Sequence, residues 1–423
     1  MLNRHWKKSC TGLALALLTC TGSAYGSGFG IFTQGATELG QANASVAHTN
    51  GPSAVYFNPA LMSRLTGTQV EFGTTLVAPG REFSSATPGQ PNAEVDSTVY
   101  FPSNLYLTHA LSDKAAVGLA IFNPFGLGTE WSETWEGKYL ATKSTITTFN
   151  INPAVSYKVT PKVTLAAGLD VLLLDAELEN KILLAPGAPD VNRKFSGDGD
   201  GLGYNLGLLV DIAPELTFGA AYRSKVDIDI DADVQFMIDP FLVGLNPALP
   251  FILPNTGAKT TITLPQQLTA GLAFKPSDRL TVETGVRWEG WSDYKELAIT
   301  TDLPIAGSNT IVEQKNWRDT WAANLGARYQ LNPKVALLGG YLWGEDAIPA
   351  ETFEPGVPDS TSHLFCLGSE MQWDRFRFAA SYGYQQLEKR DKNNNVGANL
   401  GGTANGSYES SIHLVGLSLG YKF

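Results

Sequence analysis

The chain has 423 residues, with 30 Lys and Arg against 41 Asp and Glu and a net charge of −11. That balance offers phosphates no basic face, so nucleic acid is excluded as a partner. Two of the three cysteines, Cys10 and Cys20, lie at the extreme N-terminus, so the body of the chain cannot carry an internal disulfide framework.

The chain opens with Arg4, Lys7 and Lys8, an apolar stretch over 11–19, and Ala24-Tyr25-Gly26, which puts small residues at −3 and −1. This is the layout of a secretory signal, assigned to 1–26. Its removal takes away three basic residues and no acidic one, moving the net charge from −11 to −14. Lipidation at Cys20 is disfavoured by the Thr19 before it. Residues 27–67 run rich in Gly, Ala, Ser and Asn, with a helix-like stretch over 33–47, ahead of a first strand near Thr68. No later segment reads as a membrane helix. An exported chain of this size is then either a soluble periplasmic protein or an outer-membrane barrel.

From Thr68 onward, short turn signals alternate with longer irregular segments. Pro and Asp preset tight turns at 111–114, 160–162, 213–215, 276–278, 332–334 and 373–375. Loops are expected near 81–96, 124–142, 179–199, 235–256, 301–309, 346–360 and 390–405. Six turns and seven loops make fourteen strands with both ends on the short-turn side, as in a bacterial outer-membrane barrel. The side chains alternate to match. Phe218, Tyr222, Val226 and Ile228 oppose Thr217, Arg223, Lys225 and Asp227, and Trp321, Leu325 and Tyr329 oppose Arg318, Asn324 and Arg328. The last strand sets His413, Val415, Leu417, Leu419, Tyr421 and Phe423 on one face. An apolar row closing on aromatics suits a lipid-facing strand that ends at the headgroup layer. The terminal Phe423 is the expected handle for barrel-assembly machinery. The expected fold is all-β: a transmembrane antiparallel barrel of fourteen strands over 68–423. Its lumen would be wider than side chains can fill, and 27–67 is the expected hatch inside it.

Four features carry chemistry. Strand 115–122 alternates well, and then Phe122-Asn123-Pro124-Phe125-Gly126 interrupts it. Pro removes a ladder donor and Gly weakens the strand, so a kink is expected in the wall. Arg223, Lys225, Arg287, Arg318 and Arg328 face inward by alternation, able to hold a carboxylate or simply to pair with Glu283, Glu289 or Asp227. Asp227, Asp229, Asp231 and Asp233 form an acidic ladder near the outer rim, ~7 Å between neighbours. It would repel an anion and raises the case for a neutral substrate. Loop 235–256 is greasy, with Phe236, Phe241, Leu242, Phe251 and Ile252, and its prolines rule out a spanning helix. Such a patch marks a binding or membrane surface, the partners being a hydrophobic small molecule, outer-membrane lipids or lipopolysaccharide. A hydrophobic molecule needs such a path, because exposing it to water costs ~25 cal/mol per Å².

In order along the chain come Gly28-Phe29, Leu39-Gly40-Gln41-Ala42, Asn58-Pro59-Ala60-Leu61, Phe125-Gly126-Leu127, Trp135-Glu136-Gly137, Tyr222-Arg223-Ser224-Lys225-Val226, Leu264-Pro265 and Trp288-Glu289-Gly290-Trp291-Ser292. With the strand count, they make the chain resemble the FadL family of outer-membrane transporters for long-chain fatty acids and other hydrophobic compounds. The resemblance implies a fourteen-strand barrel plugged by an N-terminal hatch, with Asn58, Pro59 and Ala60 in the hatch signature. It implies a capture groove between the third and fourth outer loops, where Ile182, Leu183 and Leu184 would face the greasy loop. It implies basic residues on the carboxylate inside the barrel, Arg318 before Asp319 being one such position and Lys181 a looser match. It also implies lateral release into the bilayer at the third-strand kink.

Enzyme readings are weak. Gly416-Leu417-Ser418-Leu419-Gly420 fits G-x-S-x-G but lies inside a strand, not at the strand-to-helix elbow the motif needs. His48, His109, His363 and His413 show no metal spacing, and no cofactor or metal is expected. The expectation is passive, outer-membrane uptake of hydrophobic molecules, long-chain fatty acids first and neutral aliphatic or aromatic hydrocarbons second. A general porin and a surface adhesin or phage receptor are the alternatives from other classes.

Overall fold

A computed structural model describes residues 28–423, so the signal assigned to 1–26 lies outside the described residues. The alternating segments form fourteen strands. They are β1 (Thr68–Ser85), β2 (Ser103–Ala110), β3 (Ala115–Phe122 and Gly126–Glu130), β4 (Lys143–Thr160), β5 (Val163–Ile182), β6 (Val191–Ala213) and β7 (Leu216–Arg223 and Val226–Met237). Then come β8 (Thr256–Leu264 and Gln267–Ser277), β9 (Leu280–Glu289 and Glu296–Ile305), β10 (Ser308–Gln314 and Thr320–Asn332), β11 (Val335–Gly344), β12 (Ser362–Trp373), β13 (Phe376–Leu387) and β14 (Gly406–Lys422). Each is antiparallel to the next, and β1 pairs with β14 from Gln69↔Lys422 to Ser85↔Gly406. Closure leaves no edge, as a sheet in hydrocarbon requires. On β14, Val415, Leu417, Leu419 and Phe423 are exposed while Ile412 and Leu414 are fully buried, the expected outward row.

Two expectations need correction. Residues 301–309 are not a loop: β9 and β10 meet in a hairpin at Ala306-Gly307, both left-handed at φ 49° and 87°. And the faces are not constant along each strand. Between the pairs Asn205↔Arg223 and Asp200↔Asp229, four residues of β6 oppose five of β7. That one extra residue exchanges the two faces. Below it Phe218 and Tyr222 point outward; above it Ile228, Ile230, Val234 and Phe236 are buried inside and the aspartates point out. Strands β8, β9 and β10 are interrupted beside it, at 265–266, 290–295 and 315–319. The upper barrel is therefore greasy within and acidic without, so the Asp227–Asp233 ladder does not face a ligand in the lumen. Asp227 and Asp229 accept from Thr263 and Thr261 at 2.6 and 2.8 Å, and Asp231 pairs with Lys259 at 3.0 Å.

Residues 28–67 pack against the inner wall, almost all of them buried. The helix expected over 33–47 shrinks to one turn, α1 (Ala36–Leu39), because Gly35 precedes it and Ala42 and Asn43 turn left-handed after it. A second turn, α2 (Ala54–Phe57), leads into a 3-10 turn over Pro59–Arg64. Asn58 caps that turn through Ala60 N–H at 3.1 Å and donates to Leu208 O of β6 at 3.0 Å. Ala47 N–H donates to Glu283 at 2.7 Å, Thr37 to Glu370 at 3.1 Å, and Ala36 N–H to Ser418 Oγ at 3.0 Å. Arg377 is bonded to Glu71 and lies against Gly51, where a Cβ would come within 1.6 Å of its guanidinium. Gly51→Ala must push Arg377 off a buried carboxylate. A loss of about 1–3 kcal/mol is expected, read as a lower melting temperature in detergent.

Candidate functional site: a divided lumen and a gap in its wall

The face reversal builds a chamber in the upper barrel. Leu127, Ile146, Leu174, Phe195, Ile230, Ile262 and Ile299 wall it on seven successive strands, enclosing about 120 Å³. That is close to the ~150 Å³ of an engineered cavity that holds one benzene. Its lining also carries Lys143, Arg193 and Lys315 with Glu179, Glu313 and Glu354, three cations against three carboxylates. Lys315 lies 3.0 Å from Glu313 and is also bonded to Glu354. Lys315→Met would leave two buried carboxylates facing each other. A loss of about 3–5 kcal/mol is expected, seen in thermal melts.

The floor of the chamber is Phe29, only 1% exposed. The breaks in β9 and β10 throw Trp291, Tyr294 and Trp317 inward around it, at ring distances of 4.9, 6.4 and 5.6 Å, with Phe125 at 6.1 Å. Gly28 makes this approach possible: its φ is +67°, and a Cβ there would sit 2.5 Å from the Trp317 ring.

Phe125 belongs to the kink. Residues 123–125 of β3 face only 148–149 of β4, an extra residue that bulges the strand. Here β3 leaves β2. Their pairing stops at Leu105↔Ile121, and the two stretches of chain meet again at an isolated bridge outside both strands, Val95↔Trp131. The freed backbone turns inward, where Gly126 N–H donates to Phe29 O and Ile31 N–H to Pro124 O, both at 2.8 Å. Asn123 staples the gap, accepting from Ser103 N–H at 3.1 Å and donating to Thr148 O at 2.6 Å. Outside it, Val99, Phe101, Leu105 and Leu119 are exposed apolar side chains, a face that fits lipid.

A family model described as outer membrane protein transport protein (OMPP1/FadL/TodX) matches residues 17–423. The chain belongs to this family. Like the rest of the family, it is an outer-membrane transport protein for hydrophobic compounds; Ser418 of the G-x-S-x-G match accepts a hydrogen bond from Ala36 N–H inside β14. It is 23% identical over 381 residues to a long-chain fatty acid transport protein of Escherichia coli O6:H1, covering 83% of this chain and 84% of that one. It is 27% identical to the 47 kDa outer membrane protein of Pasteurella multocida, with 98% of each chain covered. A FadL homologue of Pseudomonas aeruginosa shares the fold at a TM-score of 0.82, 19% identical, with 94% of this chain and 100% of that one covered. The toluene transporter TodX of P. putida does so at 0.73, also 19% identical, covering 93% and 99%.

Among FadL-type features, the basic residues expected in the lumen are not gathered at one point. Arg318 sits in the β10 break, its side chain 59% exposed and bonded to Asp346. Lys225 lies in the β7 break against Asp293 at 3.3 Å and lines neither chamber. Arg328 pairs with Glu370 at 2.8 Å, and Lys181 with Glu133 at 3.0 Å. Of these basic residues, Arg223 and Arg287 alone share a space, a smaller chamber lined by Phe32. The cations that line the upper chamber are instead Lys143, Arg193 and Lys315, which alternation did not single out. Of the apolar loop residues, Phe236 and Leu242 are buried in the chamber's cluster and Ile182 packs against it. Phe241, Phe251, Ile252 and Leu184 stand exposed above, with Leu183 half-buried. The helices α3 (Pro240–Leu245) and α4 (Leu249–Ile252) carry this crown, with Asp239 capping α3 at Phe241 N–H, 2.8 Å away.

Proposed function

We propose that this chain takes hydrophobic molecules from the outer surface through the apolar crown into the upper chamber, and releases them sideways between β2 and β3 once Phe29 moves. The observation that carries the reading is the coincidence at Phe29. One residue floors the chamber and is hydrogen-bonded to the kink beside an unpaired stretch of wall whose outer side chains are apolar. Residues 28–67 act as a hatch that stays in place, because their bonds to β6, β9, β12 and β14 are spread around the wall. Local motion of 28–31 suffices to join chamber and gap.

Neutral hydrophobic compounds fit the chamber better than fatty-acid anions. Its charged lining is balanced, and a carboxylate would have to displace Glu313 or Glu354 from Lys315. Relatives named for long-chain fatty acids and for toluene make both classes testable. Equilibrium binding of toluene and of a long-chain fatty acid to detergent-purified protein decides, with Arg318→Ala alongside. Toluene is expected to bind and to be indifferent to the substitution. Binding of the acid alone, lost with Arg318→Ala, would restore the fatty-acid reading with Arg318 as its headgroup partner.

A further inference from the structure

The smaller chamber encloses about 70 Å³ between 28–67 and the inner wall. Phe32, Asn43 and Tyr56 line it from the hatch side, and Arg223, Arg287 and Asn324 from the barrel. Its charges are already matched. Arg223 is bonded to Asp170, which also accepts from Asn150 and Asn205 at 2.6 and 3.0 Å. Arg287 stands 3.6 Å from Glu289, to which Gln267 donates at 2.7 Å. Both guanidiniums lie over rings, Arg223 at 5.6 Å from Tyr56 and Arg287 at 5.3 Å from Phe32. An ionic ligand would add an unmatched charge to a buried site, which is costly.

What lacks a partner among the described residues here is neutral. Asn43 has none there for either side-chain atom, nor do the amide oxygens of Asn324 and of neighbouring Asn205. Each buried amide left so costs about 1–3 kcal/mol. Ala42 and Asn43 are also both left-handed, at φ 50° and 61°, a strain of about 1–3 kcal/mol each, held at the residue that presents the free amide. Acceptors outnumber donors among these free atoms, and the remaining walls include aromatic rings.

We infer that this chamber binds a small neutral, hydroxyl-bearing molecule, its hydroxyl donating to the free amide oxygens and its apolar part against the rings. The site shares no lining residue with the upper chamber. The test is calorimetric titration of full-length protein in detergent with phenol and with toluene, which match in shape and differ by the hydroxyl. Asn43→Leu alters the hatch side and Asn324→Leu the wall, so the two do not share a folding liability. Saturable phenol binding weakened at least about tenfold in both variants, with toluene binding held, supports the site. Phenol affinity unchanged in both variants overturns it, as does parallel loss of toluene and phenol in both. So does the lack of any saturable phenol binding while toluene binds, which would mean that the chamber holds water alone. Asn43-dependent phenol binding without toluene binding would keep this site and sink the proposed ligand of the upper chamber.

Discussion

Phe29→Ala is expected to raise the uptake rate of a hydrophobic probe about tenfold or more. Truncating a buried Phe costs about 3–5 kcal/mol, and at this position nearly all of it is lost from the closed arrangement, where the ring fills the Trp291, Tyr294 and Trp317 clasp. If only half of that loss distinguishes closed from open, the equilibrium moves by more than ten, at about 1.4 kcal/mol per decade. Entry of a fluorescent aromatic into cells expressing the variant, compared with wild type at equal protein level, gives the measurement. An unchanged rate would mean that the ring is packing only, with the resistance elsewhere.

Deleting Pro124 is expected to do the opposite. Three residues of β3 now face two of β4; removing one restores register and leaves Leu127 facing the chamber. The straightened strand can then pair with β2 across the gap. Several new ladder bonds, each contributing about 0.5–1.5 kcal/mol, would have to break for release, so transport should fall by well over about tenfold. Binding to the upper chamber should survive, which separates a closed exit from a misfolded barrel. The deletion also loses the Ile31 N–H bond to Pro124 O. Proteolytic resistance of 28–67 therefore needs to be followed in the same preparation. Transport at wild-type rate would place the exit elsewhere.

Much of the barrel was legible because period-two alternation and turn chemistry are local. The strand count, the outward row of β14 and the interruption at 122–126 all follow from residues within a few positions of one another. The hairpin at Ala306-Gly307 was missed because it lacks the Asn-Gly or Asp-Gly signal. The larger failure was to carry one alternation through each strand. Counting back in twos from Arg328 and Asn324 puts Arg318 inside and Lys315 outside, whereas the break at 315–319 leaves Arg318 exposed and buries Lys315. The floor was out of reach for another reason. Gly28-Phe29 and Trp291 were visible as fragments, but their meeting joins segments more than 250 residues apart in sequence, and nothing local specifies it.

The bulges carry a consequence for how such a lumen changes over time. In an unbroken strand, turning a polar interior into a greasy one takes a substitution at every second position. Here the same result comes from one added residue, which exchanges the faces of everything beyond it. Lumen chemistry in this barrel is thus set by length as much as by identity, and a single-codon insertion or deletion at a break can invert a wall. Two chains whose aligned columns look alike can therefore present opposite surfaces to a ligand, and substrate comparisons between them should begin by counting residues between ladder pairs.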